Sequence, residues 1–189
     1  MFQDYNIAVL LSVYKNDRAE FLRLSIDSIL NQSYKNIILY IGVDGTIGEK
    51  LYKCLEQYEQ EKRVNIVYFP ENRGLAVVLN DLLILCKEAN IEYIVRMDAD
   101  DISVPNRLAN QVNYLLLHPE VDVVGGRIRF KVNKGWSTAV LLFLCPYVSK
   151  RRENGIKLVE YLPHLVHYLF PLLLPTKHTF IFAGIHMKL

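Results

Sequence analysis

The chain has 189 residues, of which 51% are apolar and 22% charged, with a formal net charge of +2 at pH 7. This length predicts one domain, or one domain with an appendage, and the composition excludes a globally disordered chain. The net charge by itself points to no class of partner.

The charge is unevenly distributed along the chain. Residues 1–126 carry 12 basic and 18 acidic side chains, whereas residues 127–189 carry 10 basic and 2 acidic ones. The last aspartate is Asp122. Such a break indicates two pieces under different constraints. We therefore predict a first unit of residues 1–126 and an atypical basic and apolar segment of residues 127–189.

The cysteines and the N-terminal residues predict a cytoplasmic protein. Cys54, Cys86 and Cys145 are widely spaced without a CxxC motif, which is typical of reduced thiols that fill a core. The sequence MFQDYN lacks the basic segment that begins a secretory signal. We find no apolar stretch of the roughly 18 residues that a spanning helix needs.

The first predicted element is a strand at residues 7–13, IAVLLSV, whose unbroken apolar character is typical of a strand buried on both faces. Asp17 and Glu20 then have the spacing of a capping box. The apolar residues between positions 21 and 30 recur at helical spacing and predict the helix that this box would begin.

Strands and helices continue to alternate up to about residue 126. The further predicted strands are residues 37–43, 64–69, 92–97 and 121–124, and the further predicted helices are residues 48–62, residues 75–89 and one that begins near Pro105. This alternation predicts an α/β fold, with a mostly parallel sheet and helices on both faces. Beyond residue 126 the periodicity fails, and we predict an irregular C-terminal appendage.

Polar residues follow four of the predicted strands. They are Tyr14, Asp44, the sequence Asn72-Arg73-Gly74 and the acidic residues at 98–101. Parallel sheets of this kind bind ligands at the carboxyl ends of their strands. The sequence therefore predicts one ligand site that all four groups line.

The sequence RMDADDISVPNR at residues 96–107 places Asp98, Asp100 and Asp101 close together. Carboxylate oxygens favour hard cations such as Mg²⁺ or Mn²⁺. A bound dication would relieve the repulsion and could hold a diphosphate, offsetting the charge of a phosphate leaving group. The alternative is an acidic surface loop with a helix cap.

Five stretches together resemble the family 2 glycosyltransferases, which have the Rossmann-like GT-A fold. They are VLLSVYKND, SILNQSYKNIILYIGVDG, ENRGLAVVLN, RMDADDISVPNRLANQV and HPEVDVVGG, in the family's order. The resemblance covers roughly residues 5–126. It implies binding of a nucleotide-diphosphate sugar, usually a UDP-sugar, with Mn²⁺ or Mg²⁺.

The resemblance also implies roles for individual residues around the nucleoside. Ser12 and Tyr14 match residues that contact the base and the ribose. Asp44 matches the acid that accepts a hydrogen bond from the base, usually uracil. Arg96 matches a basic position near the base, and Asp98 matches the acid that contacts the ribose.

The same resemblance assigns residues to the diphosphate. Asn72, Arg73 and Gly74 match the loop beside the nucleotide, where Arg73 would reach a phosphate and Gly74 would allow close approach. Asp100 matches the metal ligand. Asp101, together with Arg107 and Gln111 on the next predicted helix, is interpreted as structural.

The catalytic residue is unassigned. An inverting transferase needs a general base to deprotonate the acceptor hydroxyl, and the family supplies an aspartate from the later part of the domain. Here the later acids are Glu153 and Glu160, and neither lies in an acidic pair. His164 and His167 are interpreted as structural. A frame disturbance near residue 127, or a truncated copy, is one hypothesis for this change.

The sequence thus predicts sugar transfer from a nucleotide sugar to a glycan or lipid-linked acceptor in bacterial surface polysaccharide synthesis. The alternative is a catalytically inactive, truncated remnant that at most binds nucleotide. A nucleotidyltransferase is disfavoured because no Gly-rich basic loop follows the first strand. No nucleic-acid partner is expected. The basic and apolar tail suggests peripheral contact with the inner face of the cell membrane.

Overall fold

The computed structural model describes residues 5–121, 123–132, 135–139, 148–150 and 181–188, and the side chains of residues 5–121 and 123–126. The strands are β1 Ile7–Tyr14, β2 Ile37–Asp44, β3 Val64–Phe69, β4 Tyr93–Met97, β5 Asp101–Ser103, β6 Val123–Val132, β7 Gly135–Ala139, β8 Val148–Lys150 and β9 Ile181–Lys188. The helices are α1 Ala19–Leu30, α2 Glu49–Glu56, α3 Leu75–Glu88 and α4 Arg107–Leu117.

The strands join in one sheet of order β3-β2-β1-β4-β8-β6-β9-β5, and β7 pairs with β6. The first four strands pair in parallel, with β1 between β2 and β4 and with β3 beside β2. Strand β8 runs antiparallel to both β4 and β6, and β9 pairs in parallel with β6. The predicted α/β class with a mostly parallel sheet is confirmed.

Helices cover both faces of the parallel strands, as predicted. One apolar cluster joins alternate residues of β1, such as Val9 and Leu11, to helices α1, α2 and α4. The other joins Ala8 and Leu10 of the same strand to α3. Because successive side chains of a strand point to opposite faces, an unbroken apolar strand serves both clusters.

The predicted capping box is wrong. Helix α1 begins at Ala19 after Arg18, and no side chain caps it. The carboxylate of Asp17 instead accepts a hydrogen bond from the backbone N–H of Tyr14 at 2.8 Å. It therefore closes the turn after β1, because a short acidic side chain can bond to either neighbouring backbone.

Two further elements differ from the sequence predictions. Helix α2 ends at Glu56 rather than near residue 62, and turns occupy residues 57–60. The acidic segment continues into the short strand β5, which pairs antiparallel with β9. This strand lies 78 residues from its partner in the chain, and local periodicity carries no information on such a pairing.

Strand β6 runs from Val123 to Val132 and crosses the predicted boundary at residue 126. The division into residues 1–126 and 127–189 stays a prediction. The side chains of Glu153, Glu160, His164 and His167 lie outside the described residues. Among the described residues, no helix is long and apolar enough to cross a membrane.

Cys54 and Cys86 are free and buried, as the core interpretation predicts. Burial raises the pKa of the Cys86 thiol to about 12. Such a thiol is almost entirely protonated at neutral pH, so it is a weak nucleophile. Cys145 lies outside the described residues.

Helix α3 packs closely on β2 at Gly42, and a substitution there tests this packing. A Cβ atom at this position would overlap Cγ1 of Val78 and approach Cδ1 of Leu82 to 3.2 Å. We expect Gly42→Ala to lower the free energy of unfolding by about 1–3 kcal/mol, as overpacking does. Urea denaturation followed by circular dichroism measures this change.

Gly48→Ala is the matched control, because a Cβ atom there would meet nothing within 4 Å. Gly48 is the N-cap of α2, where alanine is less favourable than glycine, so we expect a loss of less than about 1 kcal/mol. Equal effects of the two substitutions would contradict the close packing of α3.

Candidate functional site

The register of the parallel strands brings four strand ends to one edge of the sheet. Tyr14 pairs with Asp44, and Asp44 pairs with Phe69. Met97, the last residue of β4, pairs with Leu11, so Asp98 leaves the sheet beside Ser12. The polar groups predicted to share a site therefore lie at a common edge, where parallel sheets bind ligands.

Asp44 holds the loop that leads into α3. Its carboxylate accepts hydrogen bonds from the backbone N–H of Arg73 at 2.7 Å and of Gly74 at 2.9 Å. Its backbone oxygen accepts a bond from the Asn72 side-chain amide at 3.2 Å. Asp44 is only 3% exposed. The β2 end and the loop at residues 72–74 thus form one unit.

The backbone at Gly74 explains why glycine stands there. Its φ of +88° is unfavourable for other residues, and a Cβ atom would meet nothing within 4 Å. The strain is therefore conformational rather than steric, and the face above Gly74 is open. The close approach of a ligand at Gly74 stays a prediction.

The side chain of Arg73 is held by two neighbours. Its guanidinium forms an ion pair with Asp81 of α3 and lies over the ring of Phe69, 4.8 Å from the ring centroid. The group is 38% exposed. It is therefore oriented at the surface of this edge while still accessible to an anion.

Arg96 and Asp98 form a largely buried ion pair. Nη2 of Arg96 lies 2.6 Å from Oδ1 of Asp98, and the two side chains are 12% and 22% exposed. The pair fixes one oxygen of the Asp98 carboxylate and leaves the other oxygen to further donors. Arg96 thus acts on the site through Asp98 in this structure.

Asp100 lies between two anchored residues of the acidic segment. Its side chain is half-buried, whereas Asp101 is 1% exposed. The backbone N–H of Asp101 donates to the oxygen of Asp98 at 3.3 Å, which closes a turn around Asp100. The turn therefore presents the Asp100 carboxylate at the edge while Asp101 faces the interior.

The acidic segment fits a divalent cation that also binds phosphate. No group of three His, Cys, Asp or Glu side chains within metal-binding distance occurs in the described part of the chain. Mg²⁺ sites for phosphate substrates commonly use one or two carboxylates, with phosphate and water as the other ligands. Asp100 supplies one such carboxylate.

Asp17 is a third carboxylate near this segment, which the sequence interpretation assigned to a helix cap. Burial raises the pKa of the Asp17 carboxyl, and the charges of Asp100 and Asp98 raise it further, against the lowering effect of the Tyr14 N–H. Asp17 therefore adds negative charge to the edge.

Ser12 and Tyr14 lie at the end of β1. Ser12 is half-buried, and Tyr14 is 42% exposed. An exposed aromatic ring beside Asp44 offers a flat surface on which a base could stack.

An open groove of about 400 Å³ adjoins this edge beside β3. Its walls include Ile47, Tyr52, Tyr68, Phe69 and Pro70. The rings of Tyr52 and Tyr68 lie 6.2 Å apart and are nearly half exposed. The groove extends the accessible surface on the far side of the Asp44 turn.

Sequence reasoning missed the polar side chains that support the acidic segment from α1 and from the turn after it. Ser25 and Gln32 are 0% exposed and bond to the segment between Asp98 and Leu108. On α4, Arg107 is 1% exposed and donates to the backbone oxygen of Arg96 at 3.0 Å. Polar residues that interrupt an apolar helix face are the available sequence signal.

Comparison with known proteins identifies the family. The model of the family described as glycosyl transferase family 2 matches residues 9–173. The O-antigen biosynthesis glycosyltransferase WbnJ of Escherichia coli is 38% identical over 124 residues, which is 65% of this chain. The match spans 46% of that relative, and it spans 44% and 41% of two other bacterial relatives.

Solved structures show the same fold. A mannosyltransferase from Pyrobaculum calidifontis, in complex with GDP-Man and Mn²⁺, has a TM-score of 0.63 at 17% identity. The match covers 97% of this chain and 56% of the mannosyltransferase chain. S. aureus TarS 1–349, in complex with UDP-GlcNAc, has a TM-score of 0.57 at 16% identity, and the match covers 69% of this chain and 36% of the TarS chain. The predicted GT-A fold is confirmed.

Asp44→Asn tests the loop contact. An amide keeps one oxygen acceptor but turns an N–H group toward a backbone N–H, so one buried donor loses its partner. We expect the free energy of unfolding to fall by about 1–3 kcal/mol. Asp81→Asn, which removes a partly exposed ion pair in the same region, should cost no more than about 1 kcal/mol. Equal losses would contradict the role of Asp44.

Asp17→Asn tests the charge at the edge. A carboxyl whose pKa is raised on folding destabilises the fold when ionised, so its cost is present at neutral pH and absent below its ordinary pKa of 3.8. The asparagine keeps an acceptor for the Tyr14 N–H. We expect a higher unfolding midpoint at pH 7 and no gain near pH 3, as measured by thermal denaturation. Equal gains at both pH values would contradict this cause.

Proposed function

The chain belongs to glycosyltransferase family 2, and from this we propose that it binds a nucleotide-diphosphate sugar of the UDP class with a divalent cation. We propose further that it transfers the sugar to a glycan or lipid-linked acceptor in bacterial surface polysaccharide synthesis. The single observation that carries the proposal is the meeting of Asp44, the loop at residues 72–74 and the acidic segment at one sheet edge.

At the nucleoside end, Tyr14 and Ser12 take the base and the ribose, and Asp98 binds the ribose through the carboxylate oxygen that Arg96 leaves available. Asp44 accepts from a ring N–H of the base. Each carboxylate oxygen has two lone pairs, so the backbone bonds already made to Asp44 leave acceptor capacity for uracil. The UDP-GlcNAc bound to the TarS neighbour supports this donor class.

At the diphosphate end, Asp100 holds Mn²⁺ or Mg²⁺. When bound, the cation neutralises charge that develops on the leaving diphosphate. Arg73 and the open face above Gly74 accommodate the phosphates from the other side. The Mn²⁺ in the mannosyltransferase neighbour supports the use of a cation.

The acceptor step follows the inverting chemistry of the family, in which a general base takes the acceptor proton as the hydroxyl attacks the anomeric carbon. We assign no residue to this base. The O-antigen role named for the Escherichia coli relative supports a polysaccharide product. We place the reaction in the cytoplasm, at the inner face of the membrane, where lipid-linked acceptors would be reached.

A second candidate function is nucleotide binding without sugar transfer. One observation favours it, namely that no aspartate follows Asp122 in this sequence, although the family takes its base from this later part. Measuring sugar transfer separately from donor binding distinguishes the two functions, since only the first needs the base.

Calorimetric titration of UDP, with and without Mn²⁺, tests the donor site. We expect binding to tighten by at least about tenfold with Mn²⁺, because the cation neutralises repulsion between diphosphate and carboxylates. Asp100→Ala should abolish this gain. GDP, titrated in parallel, should bind more weakly if the site selects uracil.

Glu71→Ala is the control, since it removes an exposed acid from the neighbouring loop. It should leave the Mn²⁺ gain unchanged. Absence of UDP binding to folded protein at millimolar nucleotide would overturn the proposed function. Tight UDP binding whose affinity changes neither with Mn²⁺ nor in Asp100→Ala would overturn only the role of the metal.

A further inference from the structure

A buried polar stripe on α1 and the turn after it faces the acidic segment. The stripe consists of Ser25 and Ser28 of α1 and of Gln32, which lies two residues beyond the end of the helix at Leu30. Ser25 and Gln32 are 0% exposed. Burying polar groups costs free energy unless each finds a partner, so the stripe has to meet complementary groups.

The two serines bond to the backbone on either side of Asp100. The Ser25 hydroxyl donates to the oxygen of Asp98 at 2.9 Å. The Ser28 hydroxyl accepts from the N–H of Ser103 at 2.9 Å and donates to the oxygen of Ser25 at 2.8 Å. Helix α1 thus forms hydrogen bonds with the backbone on both sides of Asp100.

Gln32 joins the end of this segment to helix α4. Its amide nitrogen donates to the oxygen of Val104 at 2.8 Å and to the Ser103 hydroxyl at 3.2 Å. Its amide oxygen accepts from the N–H of Leu108 at 3.1 Å, in the first turn of α4. One side chain therefore fixes both the exit of the acidic segment and the start of the helix that follows.

These contacts go to backbone atoms and to Ser103, so they leave the carboxylates of Asp98 and Asp100 to other partners. Such contacts fix the backbone position from which a metal-binding side chain projects, and they leave the charge of that side chain unchanged. Residues that hold metal ligands in place commonly alter metal affinity by 10–100-fold when they are replaced.

We propose that Gln32, with Ser25, is a positioning residue for the cation-dependent part of the donor site. The inference rests on the proposed function, because it assigns to these two residues the placement of the carboxylate that binds the cation. It predicts that loss of their contacts weakens UDP binding only when the cation is present.

The test measures the ratio of UDP affinities with and without Mn²⁺ in the full chain. Gln32→Met keeps an unbranched side chain but removes all hydrogen bonds of the amide, and we expect the ratio to fall by about tenfold, in the range of supporting residues at metal sites. Ser25→Ala removes one hydroxyl and should lower the ratio by a smaller factor. UDP affinity without Mn²⁺ should stay unchanged in both variants.

Tyr58→Phe is the matched control on the opposite side of α1. The Tyr58 hydroxyl donates to Oδ1 of Asp27 at 2.7 Å, and this bond does not involve the acidic segment. The control should lower the thermal midpoint without changing the ratio. If Gln32→Met does not fold, the ratio of UDP affinities measured for Ser25→Ala tests the proposal.

The outcomes separate the two proposals. A wild-type ratio in Ser25→Ala and Gln32→Met, alongside lower thermal midpoints, would make the stripe purely structural and overturn the inference while the donor site stands. Wild-type protein that binds UDP equally with and without Mn²⁺ would overturn the metal role, and this inference with it.

Discussion

The position of the acidic segment depends on one buried amide. The polar atoms of Gln32 bond to Val104 and Leu108, which lie 72 and 76 residues further along the chain. A fully buried amide is tolerated when its donors and acceptor are paired, so the turn after α1 and the segment that leaves β4 have to meet in one register. That register places Asp98 and Asp100 at the edge where β1 and β2 also end. The apolar clusters supply most of the driving force for packing, whereas this contact specifies where the acids lie.

The same constraint explains how the fold holds like charges together. Burial is the main cause of the raised pKa of the Asp17 carboxyl, and the negative charges of Asp100 and Asp98 raise it further. Arg96 offsets the charge of Asp98 directly. The α1 serines hold the backbone without neutralising a carboxylate. Local conflict of this sort is expected at functional sites rather than in a framework that only has to fold.

The parallel strands could be predicted from the sequence to within about one residue. Residues 7–13 match β1, an unbroken apolar run that is buried on both faces of the sheet. Residues 64–69 match β3, an edge strand whose residues are half-buried or exposed. The strand ends, and with them the shared edge of the predicted site residues, followed from the alternation alone. The role of Asp17 did not follow, because its carboxylate can bond to the turn before it or the helix after it. The partners of Gln32 could not be predicted either, since they are distant in the chain.

The Asp44 contacts bear on how the edge would receive a base. Its two oxygens already accept from backbone N–H groups at 2.7 and 2.9 Å, so the carboxylate is oriented before any ligand arrives. A base N–H that bonds to a remaining lone pair adds a contact and displaces none. The ordering cost is then met during folding rather than during binding, which favours affinity. The same geometry makes Asp44 a poor position for substitution, because a change there also releases the loop that carries Arg73 and Gly74. Under the proposed function, stability and base selectivity are therefore coupled through a single side chain.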